Sequence, residues 1–276
     1  MLICSQMSAL GTVLTLRRHP VKSMIGEEMD ACQVSERGFV GDRAYALIDP
    51  ATNRIGTNKI PRKWAQLLQC SPRFVSEPRP GDGLPPVRIT LPDGATVMSD
   101  QPDIHATLSR LFGFDVTLTS EKPPGLKLEH AAPGGDQIDF EATVDYPVIN
   151  GFFDLGSVHL LTTATLDHYQ SLYPAGRFDA RRFRPNIVIQ TADDQTGFVE
   201  QGWVGKTLAF GDEVRLRVLM PTPRCVVTTL SQGDLPNDPG ILRTAAQHNS
   251  ANVGVYATVE RGGVIRRGDE LRAVEG

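Results

Sequence analysis

The sequence contains little cysteine, and its cysteines are far apart. Among 276 residues the four cysteines are Cys4, Cys32, Cys70 and Cys225. They form no C-x-x-C motif, and no cysteine–histidine cluster has the spacing of a zinc site. The run of four cysteines that would hold an iron–sulfur cluster is also missing. We therefore expect neither a zinc site nor an iron–sulfur cluster built by the chain itself.

Long apolar runs and several common active-site motifs are also missing. No stretch approaches the ~20 apolar residues of a membrane span. The first ten residues lack the basic region that begins a signal peptide. Together with the widely spaced cysteines, these features predict a cytoplasmic protein with reduced thiols. The G-x-S-x-G, P-loop and G-x-G-x-x-G motifs are absent. The formal net charge of -4 argues against general nucleic-acid binding.

The residues that are present favour a mainly β fold. The chain has 26 glycines and 20 prolines, which indicates many turns. Alternating apolar runs predict strands, among them 12–16, 44–48, 185–190, 225–230 and a last strand at 264–273. Capping residues predict three helices, at about 102–111, 162–172 and 238–248. Since predicted strands outnumber helices by more than two to one, we expect β-barrels with a few packed α-helices.

Cys225 lies in the sequence Pro-Thr-Pro-Arg-Cys-Val-Val-Thr-Thr, between Arg224 and a β-branched run. An adjacent guanidinium favours the thiolate over the thiol. A thiolate can act as a nucleophile, a sulfur carrier or a soft metal ligand. A free cysteine is more commonly a small buried side chain, so the local sequence leaves these roles open.

Basic and polar side chains recur at the ends of predicted strands. They are Lys22 and Ser23, Arg43, Arg184 and Asn186, and Arg224. Each one alone is more commonly a solvated surface group. Their repetition at strand ends predicts that they converge on a barrel mouth. In an acidic protein such a convergence favours an anionic small molecule, for example a phosphorylated cofactor.

The histidines give no metal site, because no two of the six have metal-ligand spacing on one face. His19 precedes Pro20 in a segment that we expect to line a pocket, and we interpret it as a packed or exposed side chain. His105, His168 and His248 lie in predicted helices. We assign Trp64 and Trp203 to packing.

Four sequence pieces, in order along nearly the whole chain, resemble one family. They are His-Pro-Val-Lys-Ser-Met at 19–24, Gly-Asp-Arg at 41–43, Arg-Phe-Arg-Pro-Asn-Ile-Val-Ile at 182–189 and Arg-Cys-Val-Val-Thr-Thr at 224–229. The late Gly-Asp pair at 268–269 also fits. The chain resembles MOSC-domain proteins that carry an N-terminal MOSC β-barrel domain. The resemblance extends to bacterial and mitochondrial reductases of N-hydroxylated compounds and to the C-terminal part of molybdenum cofactor sulfurases.

This resemblance implies a domain order and a set of site residues. It implies an N-terminal MOSC β-barrel domain at 8–122, a linker or loop at 123–149 and a MOSC domain at 150–275. Cys225 would be the catalytic residue and the thiolate ligand of molybdenum. The residues that would hold the molybdopterin and its phosphate are Lys22, Ser23, Arg43, Arg184, Asn186 and Arg224. A soft thiolate suits a soft metal, and a cationic pocket suits an anion.

The chain departs from the family pattern in specific ways. Many reductase-type members have a second cysteine three residues before the ligand, where this sequence has Thr222. We also expect neither the pyridoxal-phosphate domain of the sulfurases nor a C-terminal ferredoxin-like domain. Sulfuration with cysteine as the sulfur donor is therefore not expected of this chain alone.

The expected function is that of a molybdenum-dependent oxidoreductase that reduces N-hydroxylated or N-oxygenated small molecules. Its electrons would come from a separate protein, a flavin or iron–sulfur reductase, and we expect no nucleic-acid or membrane partner. One alternative is a carrier of molybdenum cofactor or of sulfur, in which Cys225 forms a persulfide and nothing turns over. A second alternative is a β-barrel binding module in which Cys225 is inert.

Overall fold

The computed structural model describes residues 9–131, 143–147, 152–153, 155–192 and 194–274. In these ranges the chain forms nineteen strands and four α-helices. The predicted excess of strands over helices is thus confirmed, as is the mainly β fold class. In the same ranges no helix is both long and apolar enough to cross a bilayer.

Most strands have five residues or fewer, but β1, β16 and β17 have ten residues each. The first twelve are β1 (Ala9–Arg18), β2 (Glu27–Met29), β3 (Ala31–Ser35), β4 (Gly38–Phe39), β5 (Ala46–Asp49), β6 (Arg54–Ile55), β7 (Ser71–Phe74), β8 (Val87–Thr90), β9 (Thr96–Met98), β10 (Thr117–Thr119), β11 (Lys127–Ala131) and β12 (Thr143–Pro147). The other seven are β13 (Val158–Thr162), β14 (Ile187–Gln190), β15 (Thr207–Phe210), β16 (Val214–Pro223), β17 (Asn252–Arg261), β18 (Gly263–Arg266) and β19 (Glu270–Val274).

Four α-helices and four 3-10 turns connect the strands. The α-helices are α1 (Pro61–Trp64), α2 (Ile104–Phe112), α3 (Thr163–Leu172) and α4 (Pro239–Asn249). The 3-10 turns are Ala65–Gln69, Ala180–Phe183, Val199–Trp203 and Val226–Thr229. Two of these turns adjoin the predicted site residues: Ala180–Phe183, which precedes β14, and Val226–Thr229, which follows β16.

Seven strands close into a barrel in the order β14-β13-β17-β16-β15-β19-β1. The barrel closes because β1 pairs with β19 on one side and with β14 on the other, antiparallel in both cases. β13 and β14 run parallel, and the other neighbouring pairs are antiparallel. The first described strand of the chain is therefore a structural part of a barrel whose other strands all follow residue 157.

Alternating side chains of these strands fill the barrel. Along β16, Val214, Leu216 and Val218 are buried, whereas Arg215 and Arg217 are not. This alternation is the period-two pattern of a strand with one face in a core. The core also takes in Cys32, Val34 and Phe39 of β3 and β4, so the N-terminal part of the chain packs directly on the barrel.

A second core and three further sheets lie outside the barrel. The largest of these sheets has the order β10-β5-β6-β11-β12. Two three-stranded sheets have the orders β7-β8-β9 and β18-β3-β4. Trp64 is 1% exposed in this second core, with the rings of Phe112 and Phe114 at 5.5 and 5.1 Å. Trp203 is buried in the barrel core, and both tryptophans therefore have the predicted packing role.

The three longer helices begin and end within two residues of the predicted positions. α2 ends at Gly113, whose φ of 77° fits the left-handed residue that follows many helices. The side chain of Thr162 accepts a hydrogen bond from Thr165 N at the start of α3. Asp238 accepts one from Gly240 N at the start of α4, where Pro239 is the first helical residue. Local capping chemistry thus fixes these boundaries.

Three predicted segments differ in the structure. The predicted linker 123–149 contains β11 and β12, which pair antiparallel over five residues. Glycine, proline and charge obscure the strand pattern there, and 132–142 and 148–149 lie outside the described residues.

The predicted strand 225–230 is instead the 3-10 turn Val226–Thr229. The predicted last strand is split into β18 and β19 around Gly268, whose φ is 85°. The domain bounds at 8–122 and 150–275 stay a prediction.

The strand 225–230 fails to form because threonine side chains bond to the nearby backbone. Thr228 Oγ1 donates to Cys225 O at 3.0 Å, and Thr229 Oγ1 donates to Val226 O at 2.8 Å. Such local bonds offer the backbone an alternative to a strand ladder. β-branched composition alone therefore predicts the wrong element here.

Two leucines of β16 provide a test of the barrel core. Leu216 is fully buried, and Leu219 is 48% exposed. Leu216→Ala should lower the free energy of unfolding by about 2–5 kcal/mol, because it leaves a cavity in a closed core. Leu219→Ala should change it by about 0.5 kcal/mol or less. Urea unfolding of both variants measures the difference, and equal losses would contradict the assigned core.

Candidate functional site

Hydrogen bonds connect three of the four chain segments that carry the predicted site residues. Arg224 follows β16, and its Nη2 donates to Phe183 O at 2.9 Å. Arg184 is the next residue after Phe183, and its Nη1 donates to Met24 O at 2.6 Å. Met24 lies two residues beyond Lys22. The segments around 22–24, 183–186 and 224–225, far apart in the sequence, thus meet at one place.

The fourth segment joins through the buried carboxylate of Asp42. Its oxygens accept hydrogen bonds from the Arg43 guanidinium, from His19 N at 2.7 Å and from Asn186 Nδ2 at 3.0 Å. Burial opposes ionisation of Asp42, but the Arg43 guanidinium, the nearby His19 side chain and the hydrogen bond from His19 N outweigh burial and hold the pKa of Asp42 well below its usual range. Asp42 is thus an anion that binds the other segments to the turn between β4 and β5.

Asn186 makes hydrogen bonds on both sides of its amide. Its Oδ1 accepts from His159 N at 3.0 Å. Its Nδ2 donates to Arg17 O at 3.2 Å as well as to Asp42. The side chain is 1% exposed. Asn186 therefore connects β1 and β13 to the Asp42 turn, and its predicted contact with a cofactor stays a prediction.

Lys22 and Ser23 lie between β1 and β2, just before Met24. Lys22 is 4% exposed, and its Nζ donates to Phe152 O at 2.8 Å. Ser23 Oγ donates to Gly56 O at 3.4 Å, and Ser23 O accepts from Asn58 Nδ2 at 2.6 Å. The segment 56–58 therefore forms a wall next to Ser23. Sequence reasoning did not identify this wall.

We use the name cation cluster for Lys22, Arg43, Arg184 and Arg224. The Asp42 carboxylate accepts a hydrogen bond from one member of the cluster, Arg43. The ring of Phe153 lies 5.5 Å from the Arg43 guanidinium carbon, a cation–π distance. Ammonium and guanidinium groups brought together in this way suit the binding of an anion.

Unusual backbone conformations coincide with the cation cluster. Ser23, Arg43 and Arg184 have φ values of 67°, 50° and 54°. The left-handed region is uncommon for residues other than glycine and is often found at functional sites. A fourth such residue, Ala251 (φ 60°), accepts a hydrogen bond from Arg224 N at 2.8 Å. The surrounding structure thus holds several site residues in conformations that they rarely adopt.

Two buried histidines report the positive charge of the cluster. Burial, together with the charges of Arg184 and Arg43, lowers the pKa of His19 to about 3. Burial and the charge of Arg224 lower the pKa of His159 well below its usual range. Both imidazoles are therefore neutral near pH 7. His19 was predicted to be either packed or exposed, and it is packed. Its Nδ1 lies 3.6 Å from Asp42 Oδ1.

Several buried polar atoms of the same segments have no hydrogen-bond partner in the described part of the chain. They are His19 Nδ1, Asn58 Oδ1, Thr222 Oγ1 and Arg224 Nε, with Glu200 Oε1 as a fifth atom elsewhere. Because buried polar groups are nearly always hydrogen-bonded, each of these atoms has a bonding capacity that the described residues do not use. Four of the five atoms belong to the segments that carry the predicted site residues or adjoin them.

Cys225 is the exposed cysteine among the three that the structure describes. Burial raises the pKa of Cys32 and of Cys70 to about 12, which makes both thiols inert. Cys4 lies outside the described residues. No group of three or more His, Cys, Asp or Glu side chains in the described ranges could hold a metal ion by itself. A metal at Cys225 would need further ligands from its own cofactor.

Two open clefts lie away from these residues. One has a volume of about 350 Å³ and is lined by α3 and by the chain that follows β14. The other has a volume of about 390 Å³ and is lined by parts of β15, β16, β17 and β19. Neither is lined by a predicted site residue, so we base the site on the cation cluster and Cys225.

Family comparisons agree with the motifs. The model of the MOSC domain matches residues 151–272, and the model of the MOSC N-terminal beta barrel domain matches residues 10–72. The chain therefore belongs to the MOSC-domain proteins, with a MOSC N-terminal β-barrel domain ahead of its MOSC domain. This confirms the resemblance seen in the sequence. MOSC domains bind the molybdenum cofactor in related proteins.

Three solved structures that match the chain have low sequence identity to it and TM-scores under 0.5. The YUAD protein from Bacillus subtilis has 11% identity and a TM-score of 0.48, over 95% of this chain and 94% of that chain. YiiM from Geobacillus stearothermophilus has 20% identity and a TM-score of 0.33, over 44% of this chain and 55% of that chain. YiiM from Escherichia coli has 14% identity and a TM-score of 0.32, over the same shares. No curated protein matches the chain.

The neutral His19 predicts a specific pH dependence of stability. The unfolded chain binds a proton at His19 near pH 6.5, whereas the folded protein does so only near pH 3. Stability should therefore fall as the pH drops through this interval, by up to about 1.4 kcal/mol per pH unit from His19 alone. His19→Gln should show a shallower fall in urea unfolding between pH 7 and 4. The same change at exposed His248 is the control, and parallel curves for wild type and His19→Gln would refute the assignment.

Proposed function

We propose that this protein binds a molybdenum cofactor at the cation cluster and uses it to reduce N-hydroxylated or N-oxygenated small molecules in the cytoplasm. The observation that carries the proposal is the connection between an exposed thiol and the cluster. Cys225 directly follows Arg224, whose guanidinium is bonded to Phe183 O, next to Arg184. A soft ligand and an anion-binding group of cations thus adjoin each other.

The thiol supports the metal part of the proposal. Cys225 is exposed at the start of the 3-10 turn Val226–Thr229, where a thiolate can reach an external group. Thiolate ligands suit soft metals. A metal bound through one protein thiolate takes its remaining ligands from its cofactor, as the dithiolene sulfurs of molybdopterin would provide. Cys225 is therefore our proposed molybdenum ligand and catalytic residue.

The cation cluster supports the organic part of the cofactor. Guanidinium groups bind phosphate oxygens through paired, charge-assisted hydrogen bonds. Arg224 Nε and Thr222 Oγ1 are buried and have no hydrogen-bond partner among the described residues, so both have hydrogen-bonding capacity that a ligand could use. The residues proposed to hold the pterin and its phosphate are Lys22, Ser23, Arg43, Arg184, Asn186 and Arg224. Thr222, which replaces a frequent family cysteine, offers a hydroxyl at that position instead of a second thiol.

The bound cofactor would supply two-electron redox chemistry, while the protein supplies ligation, orientation and electrostatics. Reduction of a hydroxylamine to an amine consumes two electrons and two protons and releases water. The sequence has no motif for a flavin or dinucleotide and no cysteine run for a cluster. We therefore infer that the electrons come from a separate flavin or iron–sulfur protein.

Metal content tests the ligand assignment. Cys225→Ser should fold normally but lose most of its molybdenum, because a hydroxyl is a hard ligand with a high pKa and a poor substitute for a thiolate. Molybdenum and pterin are measured in protein from a host that makes the cofactor. Cys70→Ala is the control, since Cys70 is fully buried in the second core and alanine adds no polar group there. Full molybdenum occupancy in Cys225→Ser would exclude Cys225 as the ligand.

A turnover assay tests the reaction and the need for a donor protein. Cofactor-loaded protein with NADH or NADPH alone should not reduce a hydroxylamine or an amidoxime. Reduced viologen, a one-electron donor, should give turnover in wild type and not in Cys225→Ser. Turnover with NADH alone would refute the separate donor. No turnover with viologen on a broad panel of N-oxygenated compounds, despite full loading, would favour a carrier that forms a persulfide at Cys225.

A further inference from the structure

The buried guanidinium of Arg182 makes all its hydrogen bonds to described residues with backbone carbonyls. Its Nε donates to Arg177 O at 2.9 Å. Its Nη1 lies 3.3 Å from Thr228 O and 3.4 Å from Leu230 O, and its Nη2 lies 2.9 Å from Pro236 O. The side chain is 1% exposed. Three of the four carbonyls belong to the segment that follows Cys225.

This network continues to Cys225 itself. Thr228, whose carbonyl accepts from Arg182, donates to Cys225 O from its N at 3.1 Å and from its Oγ1 at 3.0 Å. On the other side of the cysteine, Arg224 donates to Phe183 O at 2.9 Å. Arg182 and Phe183 are neighbours in the 3-10 turn Ala180–Phe183. One turn therefore contacts the chain both before and after Cys225.

Burial of a guanidinium without a bonded carboxylate is costly, and its bonds to carbonyls only partly offset that cost. In return, the bonds from Arg182 hold the backbone of the segment that follows the exposed Cys225. An arginine can span several carbonyls with its planar fork, whereas a lysine has one nitrogen. The side chain at 182 is thus suited to hold a loop and does not reach solvent.

We propose that Arg182 is a positioning residue that fixes the Cys225 thiol beside the guanidinium of Arg224. The proposal rests on the proposed function only in treating Cys225 as the functional thiol, and it requires no metal. It can therefore be tested in full-length protein made by a host that lacks the cofactor. Failure of this test and failure of molybdenum binding are then separate results.

The readout is the alkylation of Cys225 by two reagents, followed by mass spectrometry of the Cys225 peptide. Iodoacetate is an anion and iodoacetamide is neutral, so the ratio of their rates reports positive charge beside the thiol. Arg182→Lys should lower this ratio about two- to fivefold, the range for a screened charge interaction near a surface. Arg181→Lys is the matched control, since Arg181 is partly exposed and pairs with Asp179 and Asp234. Its ratio should equal that of wild type.

A second pair of variants tests the same network without changing Arg182. Thr228 and Thr229 are both buried, and each donates to a carbonyl three residues back. Only the Thr228 bond ends on Cys225. Thr228→Val should therefore lower the reagent ratio, and Thr229→Val should not. This comparison decides the proposal if Arg182→Lys does not fold.

Circular dichroism and urea unfolding establish which variants are folded. A wild-type ratio in folded Arg182→Lys would overturn the proposal. Equal changes in Arg182→Lys and Arg181→Lys would also overturn it, as would equal effects of Thr228→Val and Thr229→Val. A lowered ratio restricted to Arg182→Lys and Thr228→Val supports it.

Discussion

The carboxylate of Asp42 is the anion on which the assembly of the candidate site depends. Arg43, Arg184 and Arg224 repel one another, and burial removes much of the water that would screen them. Asp42 is bonded to one of these cations and, through His19 and Asn186, to two further segments of the chain. Removal of one member of a buried, charged network generally costs about 3–5 kcal/mol, because the remaining charges lose their partner. One side chain thus holds Arg43 and its turn against β1 and against the segment that precedes β14.

The same coupling explains why the site can hold an unusual backbone. Left-handed conformations at Ser23, Arg43 and Arg184 persist only where the surroundings fix them. Each of these residues lies beside a strand of one of the two cores. His19 and His159 stay neutral in this environment and add no further positive charge to the cluster. The site is therefore arranged before any ligand arrives, which reduces the ordering cost of binding.

Local chemistry allowed some of this structure to be predicted, and long-range contacts account for what was missed. The first residues of α3 and α4 follow from Thr162, Asp238 and Pro239, which act on the backbone next to them. The strand predicted at 225–230 failed because threonine hydroxyls bonded to the local backbone. The motifs located the cations, but the role of Asp42 could not be read from the sequence, since its partners at His19 and Asn186 are 23 and 144 residues away. The same holds for Arg182, which lies 46 residues from Thr228.

The position of β1 between β14 and β19 has a consequence for how the chain matures. During synthesis β1 leaves the ribosome well before both of its barrel neighbours, since β14 follows it by more than 160 residues and β19 is the last of the described strands. Residues 16–18 of β1 can pair early with β2, but the parts of β1 that pair with β14 and β19 stay open until those strands are made, and such long-range pairing is slow. A fragment that began after β1 would leave β14 and β19 as open edges, which are templates for aggregation. The barrel is consequently built from strands of both matched domains, and it cannot close until β1 and β19 have met.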